Sequence, residues 1–158
     1  MAELVPTYAL PMPMTPFDRV IGHRLLRLHQ GLYELTDGRW GHRLGRVRML
    51  LLRTTGRRSG RRRTAALLYH REGRQLVVVG SKGGSDTAPA WLLNLQADPD
   101  VEVQMGTRRI PARARIATAA ERRRLWPVMA GQWPDYERYQ AQTTRQIPLV
   151  ILDLAQES

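Results

Sequence analysis

Apolar and polar positions alternate with two periods along the chain, and the changes of period divide it into elements. Apolar residues at Phe17, Ile21, Leu25, Leu28, Leu32 and Leu35 recur in steps of three and four, one stripe of a helix over residues 17–37. Before it, residues 1–16 hold prolines at 6, 11, 13 and 16 and read as an extended arm. Glycines at 38, 41 and 45 mark a loop. Strands are predicted near 47–54, 64–70 and 75–80, with Glu72-Gly73 turning between the second and third. The run from Gln75 through Val77 and Val79 is apolar on both faces, as expected of a buried strand. Pro89 suits the first turn of a helix that continues through Trp91 and Leu95, and Asp98-Pro99 stops it. Val101 and Val103, then Ile110, Ala112, Ala114 and Ile116, alternate with polar residues and predict two strands around Gly106-Thr107. Thr118 and Glu121 have capping-box spacing, so a helix starts there; Pro127 either kinks it or begins a new turn. A short helix over about 134–144 and a final strand over 147–152 follow. Many strands, early hairpins and few helices predict an α+β, mainly β domain over 47–154, an antiparallel sheet or small barrel carrying helices.

The hairpin at 54–63, Thr-Thr-Gly-Arg-Arg-Ser-Gly-Arg-Arg-Arg, changes this picture from architecture to chemistry. Gly56 and Gly60 are expected to supply positive φ and leave N–H groups uncovered, and five arginines surround them. Amides and guanidinium forks together form an anion receptor; the alternative is a solvated basic tip. Of the 25 basic residues, eleven arginines fall between positions 38 and 71 with no Asp or Glu, so the net charge of +11 is one local feature. Such a patch concentrates an anionic ligand, nucleic acid or acidic lipid. The basic amphipathic stretch over 17–35 either lies on a membrane surface as a peripheral contact or packs its stripe on protein.

Several chemistries find no support. The four histidines have no paired-ligand spacing and there are no cysteines, so no metal site is expected. The P-loop, the Gly-x-Gly-x-x-Gly fingerprint and the Gly-x-Ser-x-Gly elbow are absent. No run of about 18 apolar residues or secretory signal is seen, which points to the cytoplasm. What remains is a long phosphorylated ligand held by the Arg-rich turn, by a second loop at Ser81-Lys82-Gly83-Gly84 and by the helix starting near Pro89. A cofactor would then carry the difficult chemistry.

These stretches resemble a known family. Thr-Thr-Gly-Arg-Arg-Ser-Gly-Arg-x-Arg, Ser81-Lys-Gly-Gly, Pro89-x-Trp91-x-x-Asn94-Leu95, Trp133-Pro-x-Tyr136-x-x-Tyr139-Gln and Arg145-x-Ile-Pro occur in order, and together look like the deazaflavin-dependent nitroreductase and quinone reductase family. The resemblance implies a split β-barrel of about six strands, related to flavin-binding oxidases. It also implies an oxidoreductase that passes a hydride from the reduced deazaflavin coenzyme F420 to a quinone-like, nitro or other conjugated acceptor. Carried over by position, Arg57, Arg58, Ser59 and Arg63 are expected to hold the phosphate and oligoglutamate tail. Thr64, Ala65, Ala66, Leu67 and Leu68 run beside the coenzyme. Val79, Gly80, Ser81 and Lys82, with Ala90, Trp91, Leu92, Leu93 and Asn94, line the ring and its side chain. Tyr136 and Ser81 are the catalytic candidates, and Leu68, Trp133, Tyr136 and Tyr139 shape the substrate pocket. A dimer is compatible with the family.

Relatives with nitroimidazole activity carry tyrosines where this chain has Leu68 and Trp133, which favours quinones over nitroimidazoles. An apolar floor for the ring is expected from residues 76–79 and Trp91. Two other readings compete. Flavin mononucleotide could occupy the same barrel, although the arginine window suits a longer acidic tail. A nucleic-acid-binding module would explain the charge, although the hairpin lacks interleaved aromatics for base stacking.

Overall fold

Residues 47–55 and 62–68 pair as the expected hairpin, from Met49 opposite Leu68 to Thr55 opposite Arg62. The computed structural model describes residues 43–44 and 47–156; the arm at 1–16, the helix at 17–37 and the membrane contact at 17–35 lie outside the described residues. In chain order the elements are β1 (Arg43–Leu44), β2 (Val47–Thr55), β3 (Arg62–Leu68), β4 (His70–Glu72) and β5 (Gln75–Val79). Then come α1 (Ala90–Ala97), β6 (Asp100–Met105), β7 (Arg108–Ile116), α2 (Ala119–Gln132), α3 (Asp135–Ala141) and β8 (Leu149–Leu154). Eight strands are described rather than six because the two-residue β1 is added and the second hairpin strand is divided at Tyr69 into β3 and β4.

That division shapes the domain. The antiparallel strands run in the order β1-β2-β6-β7-β8-β5-β4, with β3 on β2. β3 and β4 are consecutive in the chain but pair at opposite ends of this path, β3 with β2 and β4 with β5. One bent segment therefore bridges the two ends of the sheet. At the bend, Tyr69 donates its N–H to Arg48 O (3.3 Å) and buries its ring in the barrel core. The fold is the split β-barrel.

The period of two sorts the side chains into two cores. Leu50, Leu52, Leu76, Val78, Val103, Val150 and Leu152 point into the barrel, which α1 closes with Leu92 and Leu95. Val77, Val79, Leu149 and Ile151 point outward and are covered by Leu125 and Met129 of α2 and Tyr136 of α3. β5 is thus apolar on both faces because one face looks into the barrel and the other lies under helices.

The capping box forms as the sequence predicts: Thr118 Oγ1 accepts from Glu121 N (3.2 Å) and Glu121 Oε2 accepts from Thr118 N (2.8 Å). Pro127 sits inside a continuous helix. The carbonyl its missing N–H leaves free belongs to exposed Arg123, at a position open to water. Arg115 adds a bidentate ion pair to Glu121 at 2.8 and 2.9 Å. Hydrogen bonding from Arg115, then from the Thr118 N–H, lowers the Glu121 carboxyl from 4.5 to about 2. A carboxyl depressed on folding stabilises the fold above its unfolded pKa and loses that contribution as pH falls to the folded one. Glu121→Gln is therefore expected to melt below the wild type at pH 7. The gap should close between about pH 4.5 and 2, read from thermal midpoints of both proteins across that range.

Candidate functional site

Helix α1 holds two loops together. Leu92 and Asn94 lie two residues apart, about 3 Å along the axis. Leu92 packs on the backbone at Gly80, where a Cβ would lie 3.1 Å from Leu92 Cδ2 and 3.2 Å from Pro148 Cγ. Asn94, only 4% exposed, reaches the hairpin tip. Its Oδ1 accepts from Arg57 N (3.2 Å) and Nη1 (3.3 Å), and its Nδ2 donates to Thr54 Oγ1 (3.2 Å). The Asn94 side chain, expected against the ring, is engaged in tying α1 to the tip.

The tip differs from expectation in how its glycines act. Gly60 has positive φ (66°), but Gly56 does not. Gly56 is required by crowding instead: a Cβ there would stand 2.7 Å from Ser59 Oγ and 3.1 Å from Arg61 O. Both amides are used inside the turn, Gly56 N on Arg61 O and Gly60 N on Gly56 O, each at 2.7 Å. Ser59 Oγ accepts from Arg61 N. The two glycine amides of the tip are therefore not available to an anion. Glu102 of β6 reaches Arg53 and Arg62, each at 3.4 Å, supplying the acid that the local sequence lacks. Arg58, Arg61 and Arg63 are exposed and have no ion pair among the described residues.

Free amides occur at the second loop. Ser81 is right-handed (φ −77°, ψ −39°), followed by left-handed Lys82 (46°), Gly83 (64°) and Gly84 (81°). A right-handed residue followed by a left-handed one turns successive N–H groups into a concavity for anions. Among the described residues no carbonyl takes the N–H of Ser81, Lys82 or Gly83, whereas those of Gly84 and Ser85 close the turn onto Ser81 O and Lys82 O. Ser81 is 8% exposed and its hydroxyl does not cap the turn. Lys82 is exposed, with Nζ on Thr87 Oγ1 (2.9 Å).

Beside this loop stands an aromatic wall. Leu68, Trp133 and Tyr139 are half-buried and pack on the second core, which contains Tyr136, so the four residues expected in the substrate pocket share one cluster. Tyr136 lies between Trp126 (centroids 6.4 Å apart) and Tyr139 (6.2 Å, edge-on). Burial, then the neighbouring Tyr139, pushes its phenol pKa up, so it is a neutral hydrogen-bond donor at physiological pH. Gly84 joins loop and wall: a Cβ would lie 2.8 Å from Tyr139 O and 2.9 Å from Tyr139 Cα.

Leu76, Val77, Val78 and Val79, expected as an apolar floor, are buried side chains of the two cores, and the strand ends at Gly80 and Ser81. Trp91 is half-buried against the barrel core and Leu93 is half-buried, while Ala90 is exposed. The half-buried row is instead Thr64, Ala65, Ala66, Leu67 and Leu68 of β3, which among the described residues pairs with β2 alone. Sequence reasoning missed two residues, Glu102 and Arg145. The latter's motif was visible, but not its partners: the guanidinium donates to Ser85 O (2.7 Å), Ser81 O (2.8 Å) and Gly80 O (3.1 Å). The donor set, with arginines that have no ion pair among the described residues, an amide nest and an apolar aromatic wall beside that nest, fits an anionic-tailed coenzyme with a neutral ring.

Comparison with known proteins agrees. Residues 25–153 match the family described as F420H(2)-dependent quinone reductase. The chain is 40% identical over 139 residues to an F420H(2)-dependent quinone reductase of Mycobacterium tuberculosis, spanning 85% of this chain and 93% of that one. A solved structure described as an F420-H2 dependent reductase superposes with a TM-score of 0.61 at 36% identity, covering 66% of this chain and 92% of its own. Another, described as a domain-swapped dimer, superposes at 0.63 with 34% identity, covering 87% and 99%.

Proposed function

Since the chain belongs to the F420H(2)-dependent quinone reductase family, which makes it an oxidoreductase using reduced coenzyme F420, we propose that its acceptor is a quinone bound against the wall of Leu68, Trp133, Tyr136 and Tyr139. When bound, the reduced coenzyme supplies a hydride. With a proton, which the reduced coenzyme would also supply, that hydride would convert a quinone to its hydroquinone. The observation carrying this reading is the contact of Gly84 with the Tyr139 backbone, which sets the anion nest directly beside the aromatic cluster.

The residues divide the work. Arg58, Arg61 and Arg63 hold the acidic tail outside the barrel. The Ser81–Lys82–Gly83 amides hold an anionic oxygen nearer the ring. The second core and the wall exclude water, as hydride transfer requires. Tyr136, kept neutral by burial, donates to the acceptor carbonyl as negative charge builds there, and a bond that strengthens in the transition state acts on turnover.

The test is oxidation of the reduced coenzyme by a soluble naphthoquinone, with a parallel titration against flavin mononucleotide. No oxidation, or flavin binding as tight as the deazaflavin's, overturns the reading. Tyr136→Phe keeps the ring and deletes the hydroxyl. It is expected to leave coenzyme affinity nearly unchanged and to lower turnover at saturating quinone about tenfold, the equivalent of about 1.4 kcal/mol. Unchanged turnover would assign Tyr136 to packing alone.

A further inference from the structure

We propose that Arg145 is a positioning residue for this reaction, a clamp that holds the Ser81–Gly83 amides in their receptor geometry and couples them to the helix bearing Tyr136 and Tyr139. The proposal rests on the coenzyme reading above. One guanidinium takes three carbonyls of a single loop, Ser85 O, Ser81 O and Gly80 O, at 2.7–3.1 Å. With those carbonyls drawn toward Arg145, the amides of Ser81, Lys82 and Gly83 stay unspent among the described residues. The loop needs such a clamp because Lys82, which has a Cβ, stands at φ 46°, where only glycine is comfortable.

Arg145 is itself fixed by its neighbours. Its carbonyl accepts from Gln140 Nε2 (2.8 Å) and its N–H donates to Thr143 Oγ1 (3.3 Å). Gln140 Oε1 accepts from Ile147 N (2.8 Å) and Arg122 Nη2 (3.1 Å), while Arg122 Nε donates to Ile147 O (2.9 Å). Bonded contacts thus run from α2 through α3 to the loop. Among the described residues no carboxylate pairs with Arg145, so its charge adds to the field at the nest. A lysine cannot replace it, because the three acceptors need a planar fork rather than a point donor.

The chain contains one lysine, Lys82, within this loop. A lysine-specific endoproteinase therefore cuts the chain at one bond, and the rate of cutting reads loop opening without coenzyme or turnover. Arg145→Met keeps an apolar stem and removes the fork. It is expected to be cut at least tenfold faster than wild type and to bind coenzyme F420 at least tenfold more weakly. Methylguanidinium at non-denaturing concentration should restore part of both, a response that lost packing alone would not give. Arg145→Lys, followed by coenzyme affinity, covers the case in which the Met variant does not fold; wild-type affinity there overturns the role of the fork. Unchanged cutting and unchanged affinity in Arg145→Met overturn the proposal outright. If wild type binds no coenzyme while cutting still accelerates in the variant, the functional reading fails and the loop clamp stands.

Discussion

Replacing Gly84 by alanine is expected to destabilise the domain by about 2–5 kcal/mol and to weaken coenzyme binding severely. Two costs combine. At φ 81° an L-residue is strained, by roughly 1–2 kcal/mol. The new Cβ would also stand 2.8 Å from Tyr139 O, 2.9 Å from Tyr139 Cα and 2.8 Å from Gln142 Oε1. The Gln142 side chain can swing aside, but the Tyr139 backbone belongs to α3, so helix or loop must move; overpacking of this kind costs about 1–3 kcal/mol. Such a move would separate the nest from the wall. Gly73→Ala is the control: φ is 58° and nothing lies within 4 Å of its Cβ, so only the backbone term of about 1–2 kcal/mol applies. Urea denaturation of both variants measures the difference, read as a lower midpoint with unchanged slope. Equal losses would show that the Gly84 contact with α3 is soft.

The double variant Arg58→Ala/Arg63→Ala is expected to bind coenzyme F420 about 30-fold more weakly and to show a flatter salt dependence, while folding as stably as wild type. Charge-assisted hydrogen bonds contribute about 1.5–3 kcal/mol each, but both side chains are exposed, so about 1 kcal/mol each is the better figure after solvent screening. Two such contacts give about 2 kcal/mol, or roughly 30-fold in affinity. Arg62→Ala should cost less, because Arg62 is already shared with Glu102. A coenzyme with a shortened glutamate tail should lose less than the full one. Fluorescence titration of both coenzymes at two salt concentrations decides. Equal losses for long and short tails would mean that these arginines do not reach the distal carboxylates. Oligonucleotide binding that falls steeply with salt and ignores the coenzyme would favour the nucleic-acid reading of the patch.

What the sequence determined by itself was everything encoded within a few residues. The alternation at 101–105 and 110–116 specified β6 and β7, the double-sided apolar run at 75–79 specified a buried β5, and Thr118 with Glu121 specified the start of α2. The positive charge of the hairpin tip was equally legible. The tertiary structure decided which of those charges are available, because Glu102 meets Arg53 and Arg62 from 49 and 40 positions away. It decided that Gly56 answers to crowding rather than to φ, that three successive amides at Ser81–Gly83 are unspent among the described residues, and that the side chains of residues 76–79 pack in two cores. It also brought Arg145 onto a loop some 60 positions earlier. Periodicity, capping and turn chemistry act between neighbours along the backbone. A clamp or a neutralising carboxylate is a contact between distant segments, and only the path of the sheet sets which distant segments meet.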